Sequence, residues 1–229
     1  MELEHTSRDF ETELRDLRSR TTQMGARSER CLALALDVVW QGSAELAAQV
    51  RDLEALTDDD EVDITAMVVR LLALRQPLAR DLRFLTATLK LVTDLERISD
   101  EAGHIAKRAM EEPAQTRSLA REELEPMAGR AQQALRDALH SFFDEDPSRA
   151  DQALASSDVV HEQYNAVVAR LSDRMAKRSA DVVGGMLIIR VAKHLERIAG
   201  HAASVAEEAV FFVRGEYVRH DRTGSRSLP

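Results

Sequence analysis

One stretch of this chain is used twice. Asp94-Leu95-Glu96-Arg97-Ile98-Ser99-Asp100 returns, altered, as His194-Leu195-Glu196-Arg197-Ile198-Ala199-Gly200, and the same offset of 100 residues aligns Asp81 with Asp181, Lys90 with Arg190, Ala102 with Ala202 and Ala106 with Ala206. An internal repeat this long must be accounted for before any fold is assigned. It reads as a tandem duplication, two similar modules packed as one body within 229 residues.

The residues available to each module select helices. Hydrophobic residues make up 44% of the chain but aromatics only 4%, with 9 Gly and 5 Pro to punctuate it. Such a mix favours helical bundles over sandwiches and barrels. Apolar residues at Phe10, Leu14, Leu17 and Met24 recur at helical spacing and predict a first helix over about Thr6–Trp40. After Gly42-Ser43, a stripe through Val50, Leu53, Leu56, Ile64, Val68 and Leu71 predicts one long helix to Gln76, running through the acidic stretch Thr57–Glu61. Pro77 is expected at the start of a third helix, over about Leu78–Glu111. Two apolar rows there, Leu82-Leu85-Leu89-Val92 and Leu91-Leu95-Ile98-Ala102-Ile105, give the wide buried face that a three-helix bundle needs. Glu112–Thr116 is the expected linker. Helices over about Ser118–Phe143, Ser148–Lys177 and Ala180–Val213 repeat the plan, and Gly215 suits a helix end. The expectation is an all-α protein: residues 1–112 and 117–215 as two three-helix bundles, and 216–229 as a polar tail.

Several functions are disfavoured. The net charge of −9 and the lack of a Lys/Arg run argue against nucleic-acid binding. No apolar stretch reaches membrane-spanning length, since Asp37 interrupts the run Cys31–Trp40. The single Cys31 and the absence of a signal-peptide pattern point to the cytoplasm. Gly184-Gly185 lacks the spacing of a phosphate loop, and no nucleophile-and-base grouping suggests catalysis. Phe142-Phe143 and Phe211-Phe212 read as core or interface, and Cys31 as a buried hydrophobe. His194 and His201 read as surface or capping residues, since a third zinc ligand is not evident.

What remains is a set of carboxylates at helical spacing. Glu96 and Asp100, Glu54 and Asp58, and Asp158 and Glu162 are each four residues apart and share a helix face. Like charges so placed repel. Glu96 also continues the apolar row through Leu82 and Leu89, which puts it near a bundle seam. Repelling carboxylates at a seam make sense around a cation, because hard divalent ions take several carboxylate oxygens. Acidic pairs on solvated faces give the same spacing, so both readings stay open on these residues alone.

The run Leu71-Leu72-Ala73-Leu74-Arg75-Gln76-Pro77-Leu78-Ala79-Arg80-Asp81-Leu82-Arg83, with Leu89-Lys90 and the segment Asp94–Asp100, resembles the first half of a PhoU protein. PhoU proteins are accessory and regulatory proteins of the phosphate-specific transport system. His194–Ile198, His201-Ala202, Ala206-Glu207-Glu208 and Gly215–His220 resemble the second half. The resemblance implies two three-helix bundles related by pseudo-twofold symmetry, in a cytoplasmic protein that is often a homodimer. It implies negative regulation of the phosphate-starvation response, without enzyme activity, through contacts with a sensor histidine kinase and with the ATPase subunit of the phosphate ABC importer. It also implies divalent or iron/zinc metal ions held by Glu/Asp-x-x-x-Asp motifs: Glu54, Asp58, Glu96 and Asp100 in the first bundle, and Asp158, Glu162 and Glu196 in the second. The chain departs from that pattern at Gly200, which stands where the second copy would carry its Asp, so the first bundle is expected to bind metal more tightly. A metal-storing bundle or metalloenzyme, and a regulator of another transporter, are the competing readings.

Overall fold

The computed structural model describes residues 2–111 and 116–216, with side chains from residue 9 onward. Six α-helices are found among them: α1 Glu2–Gln41, α2 Ala44–Arg75, α3 Ala79–Glu111, α4 Arg117–Phe143, α5 Pro147–Lys177 and α6 Val182–Arg214. No strand occurs among the described residues. The linker expected over Glu112–Thr116 falls outside them except for Thr116, and so does the tail from residue 217 onward.

Local chemistry sets the helix ends. Gly42 closes α1 with φ +66°, and Ser43 caps α2, its Oγ accepting from the Leu46 N–H at 3.2 Å. Asp146 accepts from the Ser148 N–H at 3.0 Å, with Pro147 as the first residue of α5, one earlier than expected. Gly215, φ +75°, ends α6 by donating to the Phe211 carbonyl at 2.8 Å. Pro77 does not open α3 as expected. Gln76 adopts a left-handed conformation that ends α2, Ala79 adopts another, and Pro77 lies in the connection between them. The start of α6 also moves, from Ala180 to Val182, because Ser179–Asp181 winds as a 3-10 turn.

The helices pack as α1-α2-α3 and α4-α5-α6, and the two bundles meet through α3 on α6 and α1 on α4. The buried stripe of α3 runs through Phe84, Thr88, Leu91, Leu95, Ile98 and Ala102. Leu82 is 41% exposed, so it lies at the margin of the stripe and not in it. Glu96, fourteen residues further on, occupies the same margin. Cys31 is fully buried, and desolvation pushes its thiol up to about 12.

α3 and α6 run antiparallel across a pseudo-twofold axis. Asp94 pairs with His201 and Glu101 with His194, and the offset of 100 carries one pair onto the other. At one end of this interface Phe84, Phe142 and Phe212 form an aromatic nucleus shared by both bundles, with ring centroids 5.4–6.2 Å apart. The phenylalanines are thus both core and interface.

Candidate functional site

The α2–α3 seam of the first bundle brings three carboxylates together. Oxygens of Asp58 on α2 and of Glu96 and Asp100 on α3 all lie within 4.8 Å of one another. The helical period explains the α3 pair, since residues four apart stack on one face. Beside them, where α1 meets the seam, small hydroxyls cluster: Ser99 Oγ lies 3.2 Å from Ser28 Oγ on α1 and 3.4 Å from Thr57 Oγ1 on α2. These short side chains keep α2 and α3 close and leave the longer acids to converge at the edge.

The carboxylates disturb one another. Burial raises the pKa of Glu96 from 4.5 to about 7; Asp100, Glu61 and Asp58 add to the rise, and Arg97 opposes it. Burial also raises Asp58, helped by Asp100. Glu96 Oε2 is buried and accepts no hydrogen bond; Arg97 Nε lies 3.3 Å away but outside hydrogen-bonding geometry. Asp100 does accept from Arg97, at 3.3 Å. A buried carboxylate oxygen without a donor carries a desolvation cost that a cation would relieve.

Glu54, the fourth expected ligand, stands one turn away on α2. It shares the field of the cluster: burial raises its pKa, with Asp100 and Asp58 contributing. Its carboxylate lies over Gly103, where a Cβ would come within 2.2 Å of Glu54 Oε2. Here Gly103 leaves room for an acid. Glu54 and Gly103 line a groove of about 620 Å³ with Arg51, His104 and Lys107.

The second bundle is arranged differently. Glu196 accepts from Lys193 at 2.6 Å and pairs with His161 Nδ1 at 3.0 Å. Burial works to raise its pKa, but these partners outweigh burial and hold it below the usual carboxylate range. Asp158 and Glu162 are exposed, and among the described residues no cluster of ligand atoms joins them to Glu196. Gly200 is exposed, and a Cβ there would meet nothing within 4 Å. One half of the repeat therefore gathers three mutually repelling carboxylates, with the exposed Arg97 beside two of them. The other has lost an acid at Gly200 and neutralised Glu196.

The histidines occupy a different place from that expected. His194 Nδ1 lies 2.5 Å from Glu101 Oε2, and His201 Nδ1 lies 2.9 Å from Asp94 Oδ1. Both pairs cross between bundles, and His194 is only 14% exposed. They are interface residues, not surface or capping ones. The repeat offset held a signal for them: positions 94 and 101 on α3 correspond to 194 and 201 on α6, and an antiparallel crossing sets each beside the other's equivalent.

The residues of the first bundle fit a divalent cation of the oxygen-preferring class. The donors are carboxylates, one buried oxygen lacks a partner, and their mutual repulsion is the kind that a bound ion cancels. Asp58, Glu96 and Asp100 would hold the ion, with Glu54 in reserve on the next turn. Bound there, it would supply positive charge tying α2 to α3.

The "PhoU domain" family model matches this chain twice, over residues 21–109 and 124–209. The chain is 33% identical, over 219 residues, to the phosphate-specific transport system accessory protein PhoU homolog of Pseudomonas aeruginosa, covering 94% of this chain and 90% of that one. Its fold is similar to the crystal structure of PhoU from Pseudomonas aeruginosa, with a TM-score of 0.84 at 31% identity over 90% of this chain and all of that one. The phosphate transport system regulatory protein PhoU from Streptococcus pneumoniae superposes equally well, with a TM-score of 0.84 at 26% identity, covering 92% and 99% of the two chains.

Proposed function

The chain belongs to the PhoU family, and from that premise we propose that it is an accessory regulator of phosphate transport that restrains the phosphate-starvation response. The observation that carries this reading is the end-to-end match: both halves of the tandem repeat correspond to PhoU domains, in a chain of nearly the same length as its relatives. We place its action in the cytoplasm; no described helix is long and apolar enough to cross a membrane.

The protein would work through contacts and not through catalysis, with a sensor histidine kinase and the ATPase subunit of the phosphate ABC importer as its partners. The α2 surface supports this. Val62 is 68% exposed and Val69 54% exposed, and they line a shallow apolar groove with Thr65, Ala66 and Ala73. Exposed apolar patches on a folded chain commonly mark protein-binding sites. Glu61 adjoins this groove and lies within the field of the Asp58–Glu96–Asp100 cluster. A cation held by those carboxylates would set the charge beside the docking face.

The test is co-purification of the chain with the importer ATPase subunit and with the kinase. Retention of the wild-type chain, and its loss in a Val62→Asp/Val69→Asp variant that remains folded, is the expected outcome. Equal retention of the two would remove this face from the account. A metal-storing bundle is the second reading, favoured by the carboxylate cluster alone. It predicts that phosphate control persists in the strain lacking the gene.

A further inference from the structure

A second donor set lies between the bundles, away from the carboxylate cluster. Donor atoms of Glu101 and His104 on α3 and of His194 on α6 all lie within 4.8 Å of one another. Asp100 and Glu101 are neighbours in sequence, but consecutive residues on a helix point about 100° apart. Asp100 therefore faces Asp58 across the α2 seam, while Glu101 faces α6.

The chemistry of this set differs from that of the first. Two imidazoles and one carboxylate suit borderline transition metals, which take three protein ligands and leave a further position for water. Hard cations prefer all-oxygen sites. The set is also partly assembled already. Glu101 and His194 are 12% and 14% exposed, and their contact is a short 2.5 Å hydrogen bond. The two imidazole rings stack with centroids 5.3 Å apart, 20° from parallel. Arg197 donates to Glu101 Oε1 at 3.2 Å, which fixes that oxygen and leaves Oε2 directed at the histidines. His104 is exposed and so free to turn toward an incoming ion.

We propose that Glu101, His104 and His194 form a transition-metal site of the Zn2+ class that pins the first bundle to the second across the α3–α6 interface. The ion takes the place of the proton shared by His194 Nδ1 and Glu101 Oε2, which leaves to solvent. Each bundle contributes ligands, so the ion bridges modules that otherwise meet through side-chain packing and polar pairs such as His201–Asp94 and Lys90–Glu208. None of the seven carboxylates expected from the sequence belongs to this site.

The test is titration of tag-free, chelator-stripped, full-length protein with Co2+ at pH 7.5. A nitrogen-containing site of low coordination number gives visible ligand-field absorption far stronger than an octahedral all-oxygen site. The expected result is one strongly absorbing Co2+ per chain, displaced by Zn2+. His104→Asn and His194→Asn should each weaken binding by at least tenfold, since even outer-shell changes commonly cost about 10–100-fold. A Glu96→Gln/Asp100→Asn variant should keep the absorption, which separates this site from the carboxylate cluster. His104 is at the surface, so its variant stays folded whether or not the His194 variant does. Absence of strong absorption in the wild-type chain would overturn the proposal, as would a loss below tenfold in His104→Asn or disappearance of the signal in the Glu96/Asp100 variant.

Discussion

Glu96→Gln should stabilise the metal-free protein at alkaline pH, although it alters a half-buried polar residue. Glu96 carries a pKa raised from 4.5 to about 7, chiefly by burial and then by Asp100. A raised carboxyl pKa means that folding favours the neutral form. Its contribution to stability is complete below pH 4.5 and is lost as pH rises through about 7. At about 1.4 kcal/mol per unit, the full shift corresponds to about 3 kcal/mol. Solvent at the edge of the cluster and the nearby Arg97 screen part of this, leaving about 1–2 kcal/mol. The Gln side chain keeps the shape and cannot ionise. In EDTA at pH 8 the variant should therefore melt about 3–6 °C higher than wild type, and at pH 4.5 the two should coincide. Added Mn2+ should reverse the order at pH 8 by stabilising the wild type more than the variant, which lacks one carboxylate of the cluster. Thermal unfolding at both pH values measures all of this. A variant that melts lower than wild type at pH 8 in EDTA would refute the claim that Glu96 is held against its charge.

Three other outcomes are expected. Replacing Glu96 and Asp100 together with Ala should abolish most Mn2+ binding in an electron-spin-resonance titration, whereas Glu196→Ala should change it little, because Lys193 and His161 already neutralise Glu196. Gly103→Ala should leave the protein folded but push the Glu54 carboxylate out of the seam, so that Glu54 titrates at a lower pH by NMR than in the wild type. Phe142→Ala should cost about 3–5 kcal/mol in chemical denaturation, because it empties the centre of the aromatic nucleus shared by the bundles.

The sequence carried most of the architecture. Apolar periodicity located all six helices to within a few residues, because long amphipathic helices are specified by local pattern. Errors gathered where local rules compete. Pro77 is permissible at a helix start, but the left-handed Gln76 and Ala79 move the start of α3 beyond it. Of the candidate site, Glu96 and Asp100 were legible as neighbours because residues four apart on one helix share a face, whereas the grouping of Asp58 with them came from the family resemblance. Glu54 was placed only in part, since its position depends on the space left by Gly103. The neutralisation of Glu196 by His161 was not legible, because it depends on how α5 packs against α6. The Glu101–His194 and Asp94–His201 pairs depend on the antiparallel crossing of α3 and α6 about the pseudo-twofold axis. The repeat alone shows which positions are equivalent, but not which of them meet.

On the proposed reading, this chain holds the phosphate-starvation response off when phosphate is plentiful. The direct measurement is expression of a phosphate-starvation reporter, in phosphate-rich medium, in a strain lacking the gene. High expression is expected in that strain, with a return to low expression when the intact chain is supplied in trans. A reporter that stays low and responsive to phosphate without the chain would contradict it.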